Sequence, residues 1–180
     1  MRVPALRILV VVLTLAGSAA ASAGPAVVPP TLRDVHGAVV DVAALAAQSH
    51  LVFVTVKATW CPVCRLQLQR LGHLLPHLRA CGTSFVVLVP GTDDAVAAVA
   101  RDTSFPYPFV ADGALALAAA AGFAADGDEL VPGFFAVNAA REIVWEQRGR
   151  SAQSFGDGEL LAYLGCKGPS VPDLLARVDP

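Results

Sequence analysis

Cys61 and Cys64 stand three residues apart in ATWCPVCR, residues 58–65. Sulfurs at this spacing suit half of a metal cage, an inert staple, or a dithiol that exchanges electrons. The flanking residues bear on the choice. A β-branched apolar run, Leu51–Val56 (LVFVTV), leads in, and leucines at helical spacing follow, so Cys61 is expected at a strand-to-helix junction. At a helix start several backbone N–H groups lack internal partners and the dipole is positive, which favours a thiolate. Pro62 suits the first helical position, where a missing N–H costs nothing. Cys64 then lies one turn in, able to bond Cys61 and to point its amide at the Cys61 sulfur. These features make Cys61 the expected nucleophile and Cys64, expected to be the less exposed, the resolving partner.

A zinc cage needs four ligands, commonly a second CxxC or a paired Cys/His set. Cys81 and Cys166 stand alone, and Pro76 interrupts the i, i+4 pair His73 and His77, so both histidines are read as ordinary solvated residues. No metal and no cofactor is expected. Copper delivery through Cys61 and Cys64 as soft ligands is a non-enzymatic alternative.

The rest of the chain supplies the elements that must hold this pair. A short hairpin or edge strand is expected over 32–42 around Gly37, then a helical turn at 42–48. Leucines 66, 71, 74 and 75 mark a helix from Pro62 to Leu75, ended or kinked by Pro76 with its exit at Cys81-Gly82. Phe85–Val89 reads as a second buried strand and Asp93–Arg101 as a helix capped by Thr92 or Asp93. The two prolines in Phe105–Val110 demote that stretch to an edge strand or extended loop. Ala114–Ala121 reads as a helix stopped by Gly122. Phe134–Val137 and Ile143–Arg148 read as a hairpin, Gly158–Leu164 as a last helix, and Pro172–Val178 as one more turn. Strands alternating with helices, then a hairpin, imply an α/β sandwich with a sheet parallel on one side and antiparallel on the other.

Arg2 and Arg7, an apolar run over Ile8–Leu15 broken only by Thr14, and the Ala21-Ser22-Ala23 signature read as a signal peptide over 1–23. The product is expected to be exported to a periplasmic or extracellular space, without stable membrane insertion. An uncleaved N-terminal anchor is the alternative. Removing the leader takes two arginines from 13 Lys and Arg set against 15 Asp and Glu, leaving a mildly acidic chain with nothing to attract nucleic acid. All four cysteines remain, in a compartment where disulfides persist. Residues 24–31 read as a flexible lead-in, 32–165 as one domain and 166–180 as a C-terminal extension.

Taken together, ATWCPVC, FVVLV, FPYPFVADGALALAAAAGF and VPGFFAVNAAREIVWEQRGR resemble the thioredoxin-fold redoxins. The likeness is to exported TlpA/ResA-like thiol-disulfide oxidoreductases within the broader alkyl hydroperoxide reductase/TSA group, over about Leu32–Leu164. It implies a thioredoxin-like sandwich: a central mixed sheet flanked by helices, with a C-terminal β-hairpin and a final helix. It also implies exchange of electrons with protein thiols and disulfides, plus a redox partner that resets the pair. Val131-Pro132 then matches the substrate-docking loop, with a cis bond before Pro132. Trp60, Pro62, Val63 and Val131 form an apolar rim suited to a partly unfolded polypeptide, with Phe134 behind the loop. Cys81 and Cys166, near the ends of two helices on one sheet face, are candidates for a structural disulfide.

Two departures stand out. Thioredoxins carry a buried Asp where this chain has Thr55, and TlpA/ResA-like proteins often carry a Glu where it has Gln67. Lys57 is the nearest upstream charge and a candidate for tuning the Cys61 thiolate. The competing enzyme class is a thiol peroxidase with Cys61 peroxidatic and Cys64 resolving, and Arg148 as its anion-stabilising group. The peroxiredoxin signature P-x-x-x-T-x-x-C is absent: counting back from Cys61 finds Ala58 for Thr and Val54 for Pro.

Overall fold

Residue type decides the sheet's centre. Leu51, Val52, Phe53 and Val54 are apolar on both parities, so the strand they form must be covered on both faces. In a computed structural model, which describes residues 26–149 and 157–166, that strand is β3 (His50–Thr55), the middle of a five-stranded sheet. Its neighbours are β4 (Thr83–Val89), parallel, and β6 (Gly133–Val137), antiparallel. β5 (Phe109–Ala111) extends the parallel side and β7 (Ile143–Arg148) the antiparallel side, giving the order β5-β4-β3-β6-β7. A separate hairpin, β1 (Thr31–Arg33) with β2 (Val39–Asp41), lies outside this sheet.

Helices cover the two faces unequally. On one lie α2 (Pro62–Ala80), α3 (Asp93–Thr103) and α5 (Asp157–Leu164), whose Leu68, Leu71, Val96, Val99 and Leu160 share a core with Cys61 and Cys64. On the other lie α1 (Val42–Gln48) and α4 (Ala116–Ala120), around Phe53, Phe123 and Phe135. Each fully buried Leu or Phe in these layers contributes on the order of 1.5–3 kcal/mol. The expected sandwich, mixed sheet, hairpin and final helix are all present.

Four local expectations need correction. Pro76 does not end α2: the helix continues through it to Ala80 and leaves at its C-cap Cys81, at the expected Cys81-Gly82 exit. Pro76 sits on the exposed face, where the Gly72 carbonyl it leaves without a donor can tilt to water, while Leu71, Leu74, Leu75 and Leu78 hold the helix to the core. The expected flexible lead-in over 24–31 is, from Ala26 on, part of the fold. Val28 is buried and donates its N–H to the Arg141 carbonyl at 2.9 Å, and Ala26 accepts from Ile143 at 3.3 Å. The α4 helix is shorter than Ala114–Ala121 because the buried Asp112 carboxylate caps it, accepting from Ala118 at 2.7 Å and Leu117 at 3.3 Å. The Val131–Pro132 bond is trans, the ordinary state of an X-Pro bond. The signal peptide over 1–23 and the turn at 172–178 lie outside the described residues. No helix among the described residues is long and apolar enough to cross a membrane.

Candidate active site

The strand β3 ends at Thr55, and the chain then crosses the top of the sheet through Lys57 and Trp60 to enter α2. Cys61 is the N-cap, Pro62 the first helical residue, and the Cys64 backbone N–H donates to Cys61 Sγ at 3.3 Å. The two cysteines are joined as a disulfide with Cα atoms 5.4 Å apart. No acidic residue lies in the first turn of this 19-residue helix, so nothing there cancels the positive end of its dipole at the Cys61 sulfur. After reduction the Cys61 sulfur would still face the Cys64 N–H, a donor that favours its anionic form.

Exposure does not distinguish the two sulfurs as expected. Cys61 is 2% and Cys64 1% exposed, because both join the apolar layer that α2 packs onto the sheet. Their inequality lies in the cap geometry, which serves Cys61 alone.

The loop before Cys61 is fixed from two directions. Arg65 Nη2 reaches back to the Thr59 carbonyl at 2.8 Å while its Nη1 pairs with Asp102 of α3 at 3.1 Å. Thr55 is fully buried, and its hydroxyl donates to the carbonyls of Val131 at 2.7 Å and Gly133 at 3.2 Å. The Leu130 N–H donates to the Lys57 carbonyl at 3.0 Å. These bonds lay Val131 and Pro132 alongside the 55–57 segment that leads to the cysteines. Pro132 is buried, Val131 half-buried. Gly133 is required at this crossing: an added Cβ would stand 2.2 Å from the Gln147 carbonyl oxygen.

Of the residues expected to form an apolar rim, Trp60 is 63% exposed, Pro62 is exposed, and Val63 and Val131 are half-buried. Lys57 is not an isolated charge. Its Nζ pairs with Glu129 at 3.1 Å and lies 5.2 Å from the centre of the Trp60 ring, so Glu129 offsets the field it could exert on Cys61. Phe134 is buried in the same layer as the cysteines. At the other end of α2, the candidate pair Cys81 and Cys166 is joined as a disulfide, with Cα atoms 5.9 Å apart. His73 and His77 are exposed, and no group of three or more His, Cys, Asp or Glu among the described residues is placed to hold a metal.

Sequence reading noted Thr55 only as a departure and passed over Arg65 and Asp157; the partners of all three emerge only from the fold. Asp157 comes from α5 and is buried. It accepts from the Gln67 side-chain amide and pairs with Arg70 at 3.6 Å. Burial pushes its carboxyl above the usual range, opposed by Arg70 and by the Gln67 hydrogen bond. A carboxyl held high stabilises the fold fully below its ordinary value, 3.8, and that contribution is lost as pH rises through the raised value.

The arrangement can exchange a disulfide: a cap sulfur, a partner one turn in, and an apolar rim. Known structures share the fold. Peroxidoxin BcpB from Mycobacterium tuberculosis matches with TM-score 0.65 and 19% identity, over 75% of this chain and 90% of that one. The Xanthomonas campestris bacterioferritin comigratory protein matches with TM-score 0.62 and 17% identity, over 83% and 92%. A secreted Mycobacterium tuberculosis disulfide oxidoreductase homologous to E. coli DsbE matches with TM-score 0.58 and 17% identity, over 75% and 93%. Among curated proteins none matches. The Redoxin family model covers residues 18–160, most of the chain. With its thioredoxin-like sheet and a disulfide-capable pair at the start of α2, the chain belongs to the redoxin family of thiol oxidoreductases.

Proposed function

We propose that this redoxin is an exported thiol-disulfide oxidoreductase that acts on the disulfides of other polypeptides through Cys61 and Cys64. The Cys64 N–H to Cys61 Sγ hydrogen bond at the N-cap of α2 is the observation that carries this reading. In the reducing direction the Cys61 thiolate attacks one sulfur of the substrate disulfide. That bond breaks, the first substrate thiolate leaves, and a mixed disulfide with Cys61 forms. Cys64 loses its proton and attacks Cys61 Sγ, expelling the second substrate thiolate and closing Cys61–Cys64. The substrate gains two electrons and the dithiol loses two; an external dithiol resets the pair, and the oxidising direction is the same sequence reversed. The apolar rim at Trp60, Pro62, Val63 and Val131 suits an extended polypeptide segment. Export rests on the basic, apolar and small-residue pattern of the leader.

A thiol peroxidase is the second reading, favoured by the fold shared with BcpB and the bacterioferritin comigratory protein. Two observations count against it. Val54 and Ala58 occupy the positions a peroxide-binding Pro and Thr would take. Arg148, the expected anion-stabilising group, instead pairs with Glu146 at 3.2 Å and lies 5.1 Å from the Phe123 ring, in the opposite core layer. Insulin-disulfide reduction measured beside peroxide consumption separates the two. Insulin reduction that falls at least about a thousandfold in Cys61→Ser, with negligible peroxide turnover, is expected. Fast peroxide turnover with no insulin reduction would establish the peroxidase.

A further inference from the structure

The near-equal burial of Cys61 and Cys64 raises the question of what keeps the second thiol protonated while the first ionises. Helix residues three apart are neighbours, with Cβ atoms about 5–6 Å apart, so Gln67 adjoins Cys64 on the buried face of α2. Gln67 Nε2 donates to one oxygen of Asp157, and Arg70 pairs with the other at 3.6 Å. Leu160, one turn along α5 from Asp157, is fully buried in the layer that holds both cysteines. Gln147 lies directly opposite Phe134 across β6 and β7, and cross-strand partners share a sheet face, so it turns a second buried amide toward that layer. Its Oε1 has no hydrogen-bond partner among the described residues. The apolar layer is therefore interrupted next to Cys64 by Gln67 and, through Gln67, by Asp157.

We propose that Asp157 is a positioning residue of the exchange reaction: its carboxylate, held beside Gln67 by Arg70, keeps the Cys64 thiol protonated while Cys61 carries the reactive charge. The proposal rests on the thiol-disulfide reading and names a group that adds, at Cys64, to the inequality the helix cap sets at Cys61. Like charges in a site screened from water oppose one another, so an ionised Asp157 disfavours a second anion at Cys64. The other charged groups nearby do not replace it. Arg65 is engaged by Asp102 and Thr59, Glu159 is exposed in the first turn of α5, and Tyr163 stacks on Trp145 of β7. Arg70 offsets Asp157 and must act in the opposite sense.

The reduced full-length protein reacting with an aromatic chromogenic disulfide releases one coloured thiolate when Cys61 attacks and a second when Cys64 resolves the adduct. Both rates are followed by stopped flow from about pH 5 to pH 9. In Asp157→Asn the pH midpoint of the second release should fall by at least about half a unit while that of the first stays in place. In Arg70→Ala the second midpoint should rise, and Asp157→Glu should restore the wild-type value. Structural loosening of α5 would move both variants the same way. Second-release midpoints that coincide with wild type in both variants, or shift in one direction in both, overturn the role of Asp157. Absence of any second release from the wild-type protein overturns instead the exchange reading on which it rests.

Discussion

At the N-terminal end of α2, Cys61 and Cys64 close a disulfide across a sequence separation of 3; at its C-terminal end, Cys81 is tied to Cys166 across 85. Cys61 caps the positive end of the helix and receives the Cys64 N–H. Cys81 caps the negative end, partly offset by His77 and Arg79, and its own N–H bonds to the last carbonyls. One dipole thus favours a thiolate at the first pair and gives no such help to the second. Access runs the other way. Cys81 and Cys166 are half-buried, and Cys81 lines an open cleft of about 510 Å³ with His50 and Tyr163, whereas Cys61 and Cys64 are almost wholly covered. The proposed reactivity of the first pair therefore rests on what a reduced sulfur would face and not on exposure of the resting disulfide.

Chain topology adds a second contrast, in stability. Closing a loop of 85 residues restricts the unfolded chain far more than closing one of 3. In the chain-entropy picture the long link contributes about 4.5 kcal/mol at 25 °C. Replacing Cys81 and Cys166 together by Ser is expected to lower the unfolding free energy by roughly that amount while leaving insulin reduction within about threefold of wild type. Denaturant unfolding of the full chain beside the insulin assay checks both halves. A loss of exchange as large as that of Cys61→Ser would make the second pair part of the chemistry and erase the contrast. A smaller effect is expected from Thr55→Val, which keeps the shape but removes the hydroxyl that holds the Val131 and Gly133 carbonyls. It should cost about 1 kcal/mol of stability. It should also raise KM for a protein disulfide more than for a small aromatic one if the Val131-Pro132 loop docks substrate, because that loop loses its anchor to β3. Equal effects on both substrates would show that the loop takes no part in docking.

How far the sequence reveals these features depends on how local their causes are. The placement of Cys61 at a helix start was legible because a β-branched run, a proline at the first turn and leucines at helical spacing all lie within 25 residues of it. Four of the five sheet strands and the final helix were legible for the same reason; the fifth, β5 at Phe109–Ala111, is shorter than the Phe105–Val110 stretch, whose two prolines leave it between edge strand and extended loop. Pro76 misled because its penalty is local, while the leucines that override it act through burial against β4 and β3. Residues 26–31 read as loose because Pro and Ala give no periodic signal, yet Val28 finds its place against Arg141, more than a hundred positions on. The site's supporting groups were the least legible. Thr55 meets Val131 and Asp157 meets Gln67 across separations of 76 and 90 residues, and neither pair has a short-range signature. Lys57 was legible as a charge; its neutralisation by Glu129 was not.

The most direct test of the account is a redox titration of the full chain in dithiol buffers of known potential, with alkylation and peptide mass mapping following each pair separately. The account predicts that Cys61–Cys64 opens at a distinctly less negative potential than Cys81–Cys166, leaving α5 tied to α2 throughout the working range. A common midpoint, or opening of Cys81–Cys166 first, would contradict it.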